Sequence, residues 1–377
     1  MPRVSCMAPS AAPLAPKHAP RELGPDALRG LAVLSVLALH LHEYVRQLWP
    51  GHSAFGASDA VARWLSQGWA GVDLFFVLSG YFIGSAVLRP AQWDPLRFVQ
   101  NRVRRIVPAY YVSMLLVLVL LERQFLSDAQ GWSHIGLHAL FLHGLQAWSF
   151  FSINGPYWSL SLEFGFYGLM LALAPLLRTR ALWPLLAGAV LVAWVWRAGV
   201  WLQVEPAQRF FAALQLPGTL DEFAAGIAVA AWRLRQPSRA TTPRWVAGMV
   251  LAVGSVLVLS VLNFYANPRV SYWTHGPAVV FSRTLLTLGF ALWLAALVAL
   301  RAPTPLNTLI RISGLAHLGR ISFSVYLYHV PVILVTHRWA GAWLQPGPLW
   351  LAITIGATLV CASLSFRWVE QRWHPDL

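Results

Sequence analysis

Charged residues are scarce in this sequence. Only 11% of the 377 residues are charged, whereas 57% are hydrophobic. A water-soluble fold of this length could not cover its surface with so few charges, so the composition places the chain in a lipid bilayer. Cysteine is scarcer still: Cys6 lies in a polar segment and Cys361 in an apolar run, and we predict neither a disulfide framework nor a redox role for them.

Long apolar stretches take the place of a polar surface. Each is about 17 to 25 residues long, enough to cross a bilayer as a helix. The sequence therefore predicts an all-α, polytopic membrane protein with about ten transmembrane helices and both termini in the cytosol. The predicted spans cover residues 28–46, 69–88, 106–121, 158–177, 182–202, 217–232, 245–263, 277–300, 316–336 and 348–367.

The net charge of +14 does not indicate a nucleic-acid site, because no soluble domain is predicted that could carry a basic groove. The Arg and Lys residues instead cluster in short loops between apolar runs, which is the pattern that fixes membrane orientation. Residues 1–27 are rich in proline and alanine, and we predict a disordered cytosolic tail there. The membrane domain is predicted to cover residues 28–372.

Residues 133–151 form an eleventh apolar stretch. As a true span it would invert every later loop and place a group of Arg residues on the outer side, so we predict an interfacial or re-entrant helix. His134, His138 and His143 follow one another at helical spacing here. They could bind a metal, but they lack a carboxylate partner, and we interpret them as a wet polar face.

Ionisable residues inside spans are costly and usually mark a site. The first span supplies Asp26, Arg29 and His40. Arg29 and His40 are eleven residues apart, close to three helical turns, so they face the same side about 16 Å apart along the axis. Arg29 would lie near the cytosol and His40 deeper, where an imidazole could act as general base, with Glu43 orienting it. The alternative is that His40 merely marks the outer interface.

Other polar residues stand out along the chain. Arg102 and Arg105 share one face of a predicted amphipathic helix over residues 94–108 and could grip phosphates, or could serve membrane orientation alone. Glu163 lies inside a span and needs a cationic partner, for which Arg29, Arg320 and His40 are candidates. Ser79 is interpreted as a packing residue, and Asp73 as a surface charge or the partner of a buried cation. His329 is predicted near mid-membrane, and Arg197 and Arg283 belong to no clear motif.

Taken in order, these segments resemble the acyltransferase 3 family of membrane O-acyltransferases. The resemblance runs from Asp26 to Glu370. It is carried by Asp26-Ala27-Leu28-Arg29-Gly30 with His40, Phe75 to Gly80, Arg102-x-x-Arg105-Ile106-x-Pro108, Trp158-Ser159-Leu160-Ser161-x-Glu163, Tyr326-Leu327-x-His329, and Trp368-Val369-Glu370.

The resemblance implies an O-acetyltransferase that moves an acyl group, most commonly acetyl, from acyl-CoA to a hydroxyl of a cell-surface or secreted glycan. It implies Arg29, His40 and Glu163 as catalytic residues and Arg102 and Arg105 as donor-binding residues, with Asp26, Tyr326 and His329 as further candidates. The expected partners are acetyl-CoA as donor substrate, a carbohydrate acceptor that is free or lipid-linked, and the lipid bilayer. We expect no bound cofactor, no metal, no fused extracytoplasmic domain, and a location in the bacterial cytoplasmic (inner) membrane.

Two mechanisms remain open at this point. His40 could deprotonate the acceptor hydroxyl for direct attack on the thioester, or it could carry the acyl group covalently. A transporter or flippase of a lipid-linked glycan is the rival function, because intramembrane Arg, His and Glu would also suit a translocation route. No internal repeat or pair of broken helices favours that rival.

Overall fold

The computed structural model describes residues 22–53, 58–89, 93–237, 242–268, 270, 272–300, 304–341 and 343–374. This part of the chain contains helices and no strand, which confirms the all-α prediction. The α-helices, in chain order, are α1 Leu23–Leu48, α2 Asp59–Leu65, α3 Ala70–Leu88, α4 Pro95–Leu120, α5 Ala129–Ala139, α6 Trp158–Leu177, α7 Leu182–Gln203, α8 Arg209–Ala213, α9 Leu216–Arg235, α10 Arg244–Ala266, α11 Gly276–Ala299, α12 Pro305–Ile312, α13 Leu315–Arg320, α14 Ser322–Ala340, α15 Pro348–Ser365 and α16 Gln371–Trp373.

Eight helical segments within the described residues are long and apolar enough to cross a membrane. They cover Leu23–Leu48, Ala60–Leu88, Pro95–Leu120, Gly155–Leu177, Leu182–Gln203, Arg244–Ala266, Gly276–Ala299 and Pro348–Trp373. Of the other two predicted spans, 217–232 lies within α9, which carries Asp221 and Glu222, and 316–336 is not one helix, because it is divided at Ile321 between α13 and α14. The protein is thus an all-α membrane protein, and the count of ten spans stays a prediction.

The first helix begins earlier than the sequence predicts. α1 starts at Leu23 rather than residue 28, with Asp26 in its first turn, where a carboxylate is favoured by the helix dipole. Part of the predicted tail, residues 23–27, is therefore helical and buried against α13, where a Cβ on Gly319 would lie 1.8 Å from the carbonyl oxygen of Asp26. The remainder, residues 1–21, lies outside the described residues.

α4 is one helix where the sequence predicted two elements. It runs without a break from Pro95 to Leu120, and the Asp94 carboxylate caps it by accepting a hydrogen bond from the backbone N–H of Arg97 at 3.1 Å. The prediction of a separate amphipathic helix over residues 94–108 is therefore wrong. Pro108 lies inside α4 without ending it, because neighbouring helices and local adjustments in a membrane bundle can satisfy the backbone group that an interior proline frees.

Residues 133–151 do not form a spanning helix, in agreement with the prediction. α5 has 11 residues and ends at Ala139, and turns follow as far as residue 154. The interpretation of its three histidines as a wet face is wrong, because His134, His138 and His143 are 7%, 0% and 0% exposed. The His138 and His143 rings stack 3.9 Å apart, and His138 bonds the Tyr110 hydroxyl (2.8 Å) and the Ser152 hydroxyl (3.0 Å).

α3 and α9 pack unusually closely at the centre of the bundle. A Cβ on Gly80 would lie 2.1 Å from the Phe223 carbonyl oxygen, and one on Gly226 would lie 2.0 Å from the Val77 carbonyl oxygen. Small residues allow such backbone contact between membrane helices, as the sequence predicted for Gly80. This contact holds the Phe75–Gly80 segment in place beside the cavities described next.

Candidate active site

One helix connects two cavities at opposite ends of the site. α1 is continuous between Arg29 and His40, so both side chains follow the same face, as their spacing predicted. Arg29 lines a cavity between the helices, which we name the arginine cavity. The polar and charged side chains that line it are Arg29, Ser79, Arg102, Arg105, Ser159, Glu163, Tyr167, Ser322 and Tyr326.

Glu163 is fixed inside the arginine cavity by two hydroxyl groups. Its Oε1 accepts a hydrogen bond from Ser79 Oγ at 2.9 Å and another from the Tyr167 hydroxyl at 2.5 Å. Ser79 therefore does more than pack, which corrects the interpretation from sequence. Of the three cationic partners considered, Arg29 shares this cavity, whereas Arg320 and His40 do not line it.

Two arginines enter the same cavity from α4. Because α4 is a single helix, Arg102 and Arg105 lie inside the bundle instead of on a surface helix. The Arg102 guanidinium lies 5.5 Å from the Phe98 ring centroid and 6.0 Å from that of Tyr167, distances at which the faces of both rings attract a cation. Three guanidinium groups around one cavity make a setting suited to an anion, and phosphates are the groups that guanidinium binds best.

His40 is paired with His329 of α14. His329 Nε2 lies 3.1 Å from His40 Nδ1, while His329 Nδ1 lies 3.1 Å from the Val325 carbonyl and His40 Nδ1 lies 3.0 Å from the Val36 carbonyl. A carbonyl only accepts, so neutral His329 carries its proton on Nδ1 and accepts at Nε2 from His40 Nδ1–H. His40 Nε2 is then unprotonated, which is the state a general base requires.

Glu43 does not orient His40, contrary to the sequence-based hypothesis. Its carboxylate accepts a hydrogen bond from Ser66 Oγ at 3.1 Å and lies 3.9 Å from the Arg46 guanidinium. Glu43 is close to His40 in sequence, but its side chain lies exposed on the outer surface of α1. His329, which is fully buried, provides the contact instead.

His40 lines two further cavities at its own end of α1. One, named the aromatic cavity, includes Trp69, Asp73, Arg283 and Tyr326. The other, named the Glu122 cavity, includes Tyr44, Glu122 and Asn154. Tyr326 lines both the arginine and the aromatic cavity, so its side chain lies between the two ends of the site.

The pairing of a group of buried ions next to the site escaped the sequence analysis, which singled out Asp73, Arg197 and Arg283 but not Asp221 or Glu222. Arg283 bonds Asp73 at 2.5 Å and lies 3.4 Å from Glu222, and Arg197 bonds Asp221 at 2.7 Å. Asp73 is thus the partner of a buried cation, which was one of the two alternatives. Apart from the adjacent Asp221 and Glu222, these residues are far apart in sequence, and their only signal was an ionisable group inside an apolar run. Asp26 lines none of the three cavities described here.

A family model described as an acyltransferase domain matches residues 22–366, nearly the whole chain. The chain belongs to the acyltransferase 3 family. It is 30% identical to a Komagataeibacter xylinus protein, BcsY, described as a membrane-bound transacylase, over 94% of this chain and 83% of that one. It is 26% identical to the peptidoglycan O-acetyltransferase OatA of Listeria monocytogenes, over 92% of this chain and 54% of that one. No solved structure matches it.

The chain spans about half the length of that O-acetyltransferase and 57% of its Staphylococcus aureus counterpart, to which it is 24% identical over 94% of its own length. The cavities lined by Arg29 and by His40 lie on either side of Tyr326. Within the described residues, no group of three or more His, Cys, Asp or Glu side chains is arranged to hold a metal ion.

Proposed function

We propose that this acyltransferase transfers an acetyl group from acetyl-CoA to a hydroxyl of a cell-surface or secreted glycan. The observation that carries the proposal is the position of Tyr326, which lines two cavities. One of them contains three arginines, and the other is lined by His40, whose Nε2 is unprotonated in the tautomer assigned above. The relatives support a glycan acceptor, because two of them are named as O-acetyltransferases and one of these as acting on peptidoglycan.

In this proposal the donor occupies the arginine cavity. Arg102 and Arg105 bind its phosphates and the thioester arm passes Arg29 towards Tyr326. His40 Nε2 takes the proton of the acceptor hydroxyl as the oxygen attacks the thioester carbonyl carbon. The C–S bond then breaks, and the thiolate leaves with the proton that His40 holds.

The same scheme places the protein in a bacterial cytoplasmic membrane with the arginine cavity facing the cytosol, where acetyl-CoA is available. It retains the predicted topology of ten spans with both termini cytosolic, and a single membrane unit over residues 28–372. Glu163 holds the cavity wall together through Ser79 and Tyr167 and partly balances the arginine charge.

The test uses purified protein in detergent with radiolabelled acetyl-CoA. We expect His40→Ala to reduce label transfer by about 10²- to 10⁴-fold, the usual contribution of a general base. We expect Arg102→Ala and Arg105→Ala to raise the KM for acetyl-CoA. Arg104→Ala is the matched control, because Arg104 is exposed on the same helix and does not line the cavity.

Three outcomes would contradict parts of the proposal. A wild-type protein that neither binds nor consumes acetyl-CoA would favour a flippase, which has no use for that donor. Unchanged turnover in His40→Ala would remove His40 from the mechanism. Label retained on the protein by a bond to His40 would replace direct attack with a covalent acyl-histidine.

A further inference from the structure

Five buried ionisable side chains meet where α3, α7, α9 and α11 pack together, and we name them the charge cluster. They are the carboxylates Asp73, Asp221 and Glu222 and the guanidinium groups Arg197 and Arg283, and none is more than 5% exposed. Arg197 pairs with Asp221 at 2.7 Å. Among the described residues, Asp73 and Glu222 therefore share the one charge of Arg283. With every group ionised the cluster would carry one excess negative charge, which is costly inside a membrane.

The two carboxylates that share Arg283 are held unequally. Asp73 Oδ1 accepts a hydrogen bond from Arg283 Nη1 at 2.5 Å, whereas Glu222 Oε1 lies 3.4 Å from the same nitrogen. The shorter contact favours the ionised form of Asp73, because the attraction between two charges rises as their separation falls. Glu222 is 0% exposed and has only the longer contact to offset its lost hydration. Of the two, Glu222 is therefore the side chain on which a proton removes the larger penalty.

Each of these carboxylates also has one buried oxygen with no hydrogen-bond partner among the described residues. These atoms are Asp73 Oδ2 and Glu222 Oε2. Of the charged side chains around Glu222, Asp73 acts on it most strongly, and two ionised carboxylates would repel each other. A proton on Glu222 removes that repulsion and converts an acceptor into a donor. Asp73 Oδ2 is a buried acceptor that such a donor would satisfy.

We propose that Glu222 is a protonated, neutral carboxylic acid that donates a hydrogen bond to ionised Asp73, so that the charge cluster as a whole is uncharged. The cluster is then a buried proton-binding site formed by α3, α9 and α11. A neutral Glu222 leaves Arg283 paired with Asp73, with its Nε donating to the Tyr272 hydroxyl at 3.2 Å. Asp73, Arg283 and Tyr272 all line the aromatic cavity beside His40. Glu222 is thus a positioning residue for that wall, whichever donor or acceptor the enzyme uses.

A bound metal cation and a protonated Asp73 are the other ways to remove the excess charge. A cation needs several oxygen ligands. In the part of the chain that the structure describes, no three or more His, Cys, Asp or Glu side chains are arranged to hold one. A proton on Asp73 would weaken the 2.5 Å contact with Arg283 and leave the ion on Glu222, which has the longer contact. The protonated Glu222 therefore fits the observed distances better than either alternative.

The first experiment is infrared spectroscopy of the purified protein in detergent near pH 7.5, which detects the C=O stretch of a protonated carboxyl group. The spectrum of wild type minus that of Glu222→Gln should show one such band. Labelling the glutamate carboxyl groups with ¹³C should move this band to lower frequency. Glu43→Gln is the matched control, because Glu43 is exposed and lies beside Arg46, and its difference spectrum should lack the band.

Two spectroscopic results would overturn the proposal. If the Glu222→Gln difference spectrum contains no band from a protonated carboxyl group, Glu222 is ionised in the folded protein. If the band is absent from Asp73→Asn, present in Glu222→Gln and unmoved by the glutamate label, the proton belongs to Asp73.

The second experiment compares unfolding temperatures, because a neutral amide resembles a carboxylic acid but not a carboxylate. Glu222→Gln keeps a donor for Asp73 and should unfold close to the temperature of wild type. Glu222→Leu removes that donor and should unfold several degrees lower. Asp221→Asn, at the ionised partner of Arg197, should also unfold several degrees lower.

The stability results can contradict the proposal independently of any activity. A loss in Glu222→Gln as large as that in Asp221→Asn would mean that Glu222 is ionised. If one particular metal cation raises the unfolding temperature of wild type but not that of Glu222→Gln, a bound cation takes the place of the proton. Failure to use acetyl-CoA would overturn the proposed function and leave this inference unchanged.

Discussion

At the scale of single residues, His40 depends on a side chain 289 positions away in the sequence. The Val36 carbonyl oxygen and His329 Nε2 both face His40 Nδ1, so they share its N–H, and His329 adds a side-chain contact that orients the His40 ring. We therefore infer that His329 is a positioning residue, which acts on the reaction only through His40. Neither histidine could have revealed this role alone, because spacing along α1 says nothing about which side chain of α14 lies opposite.

Substituting His329 tests this dependence. His329→Leu should lower kcat by about tenfold or more, below the ~10²- to 10⁴-fold loss expected for His40→Ala, because the base remains but is no longer held. His329→Gln keeps an acceptor oxygen for His40 Nδ1–H and should retain more of the activity. The KM for acetyl-CoA should stay unchanged in both variants.

The readouts are steady-state kinetics and the pH profile of kcat/KM. A purely structural role for His329 would lower the folded fraction without changing the pH profile, so the unfolding temperature is measured in parallel. Equal kcat values for the Gln and Leu variants would contradict the positioning role.

At the scale of helices, hydrophobicity located the elements well but not their ends or their partners. The apolar runs correctly predicted α3, α6, α7, α10 and α11 to within a few residues. The segment of α4 was wrongly divided into an amphipathic helix over residues 94–108 and a span over residues 106–121, because hydrophobicity does not show that the charged part and the apolar part continue as one helix. The three histidines in and after α5 were wrongly predicted to be solvent-exposed. Helical spacing alone cannot distinguish a solvent-exposed row of side chains from one that is buried against Tyr110 and Tyr157.

The buried histidines after α4 make the fold sensitive to acid. Burial, together with the neighbouring His143 and His134, lowers the pKa of His138 to about 2, and burial lowers the pKa of His143 to about 4. In the unfolded chain both titrate near the usual value of about 6.5. The unfolded state therefore binds more protons below that pH, so stability is complete above pH ~6.5 and falls as the pH drops towards 4.

The measurement is thermal unfolding in detergent between pH 8 and pH 4.5. Wild type should lose on the order of 3 kcal/mol across the lower part of this range from His143 alone. The double variant His138→Gln/His143→Gln should be less stable than wild type at pH 8, and its free energy of unfolding should change less with pH. The control His317→Gln, at an exposed histidine of α13, should behave like wild type. If the stability of the double variant depends on pH as steeply as that of wild type, groups other than His138 and His143 cause the loss of stability in acid.

At the scale of the whole molecule, buried charges connect helices that are far apart in sequence. Arg197 of α7 bonds Asp221 of α9, and Thr284 of α11 bonds both of them. The preceding residue of α11, Arg283, joins this helix to Asp73 of α3 and to Glu222 of α9. The sequence indicated Asp73, Arg197 and Arg283 as unusual but could not pair them with Asp221 and Glu222, since pairing depends on how the helices pack in three dimensions.

Breaking one of these pairs should destabilise the whole bundle. Arg197 is 0% exposed, so Arg197→Leu would leave the Asp221 carboxylate buried without its cation. Removing one partner of a buried ion pair typically costs about 3–5 kcal/mol, whereas replacing both by apolar residues is often neutral. We therefore expect Arg197→Leu to lower the unfolding temperature strongly and Arg197→Leu/Asp221→Leu to recover much of the loss. Equal stability of the single and double variants would mean that the ion pair does not couple α7 to α9.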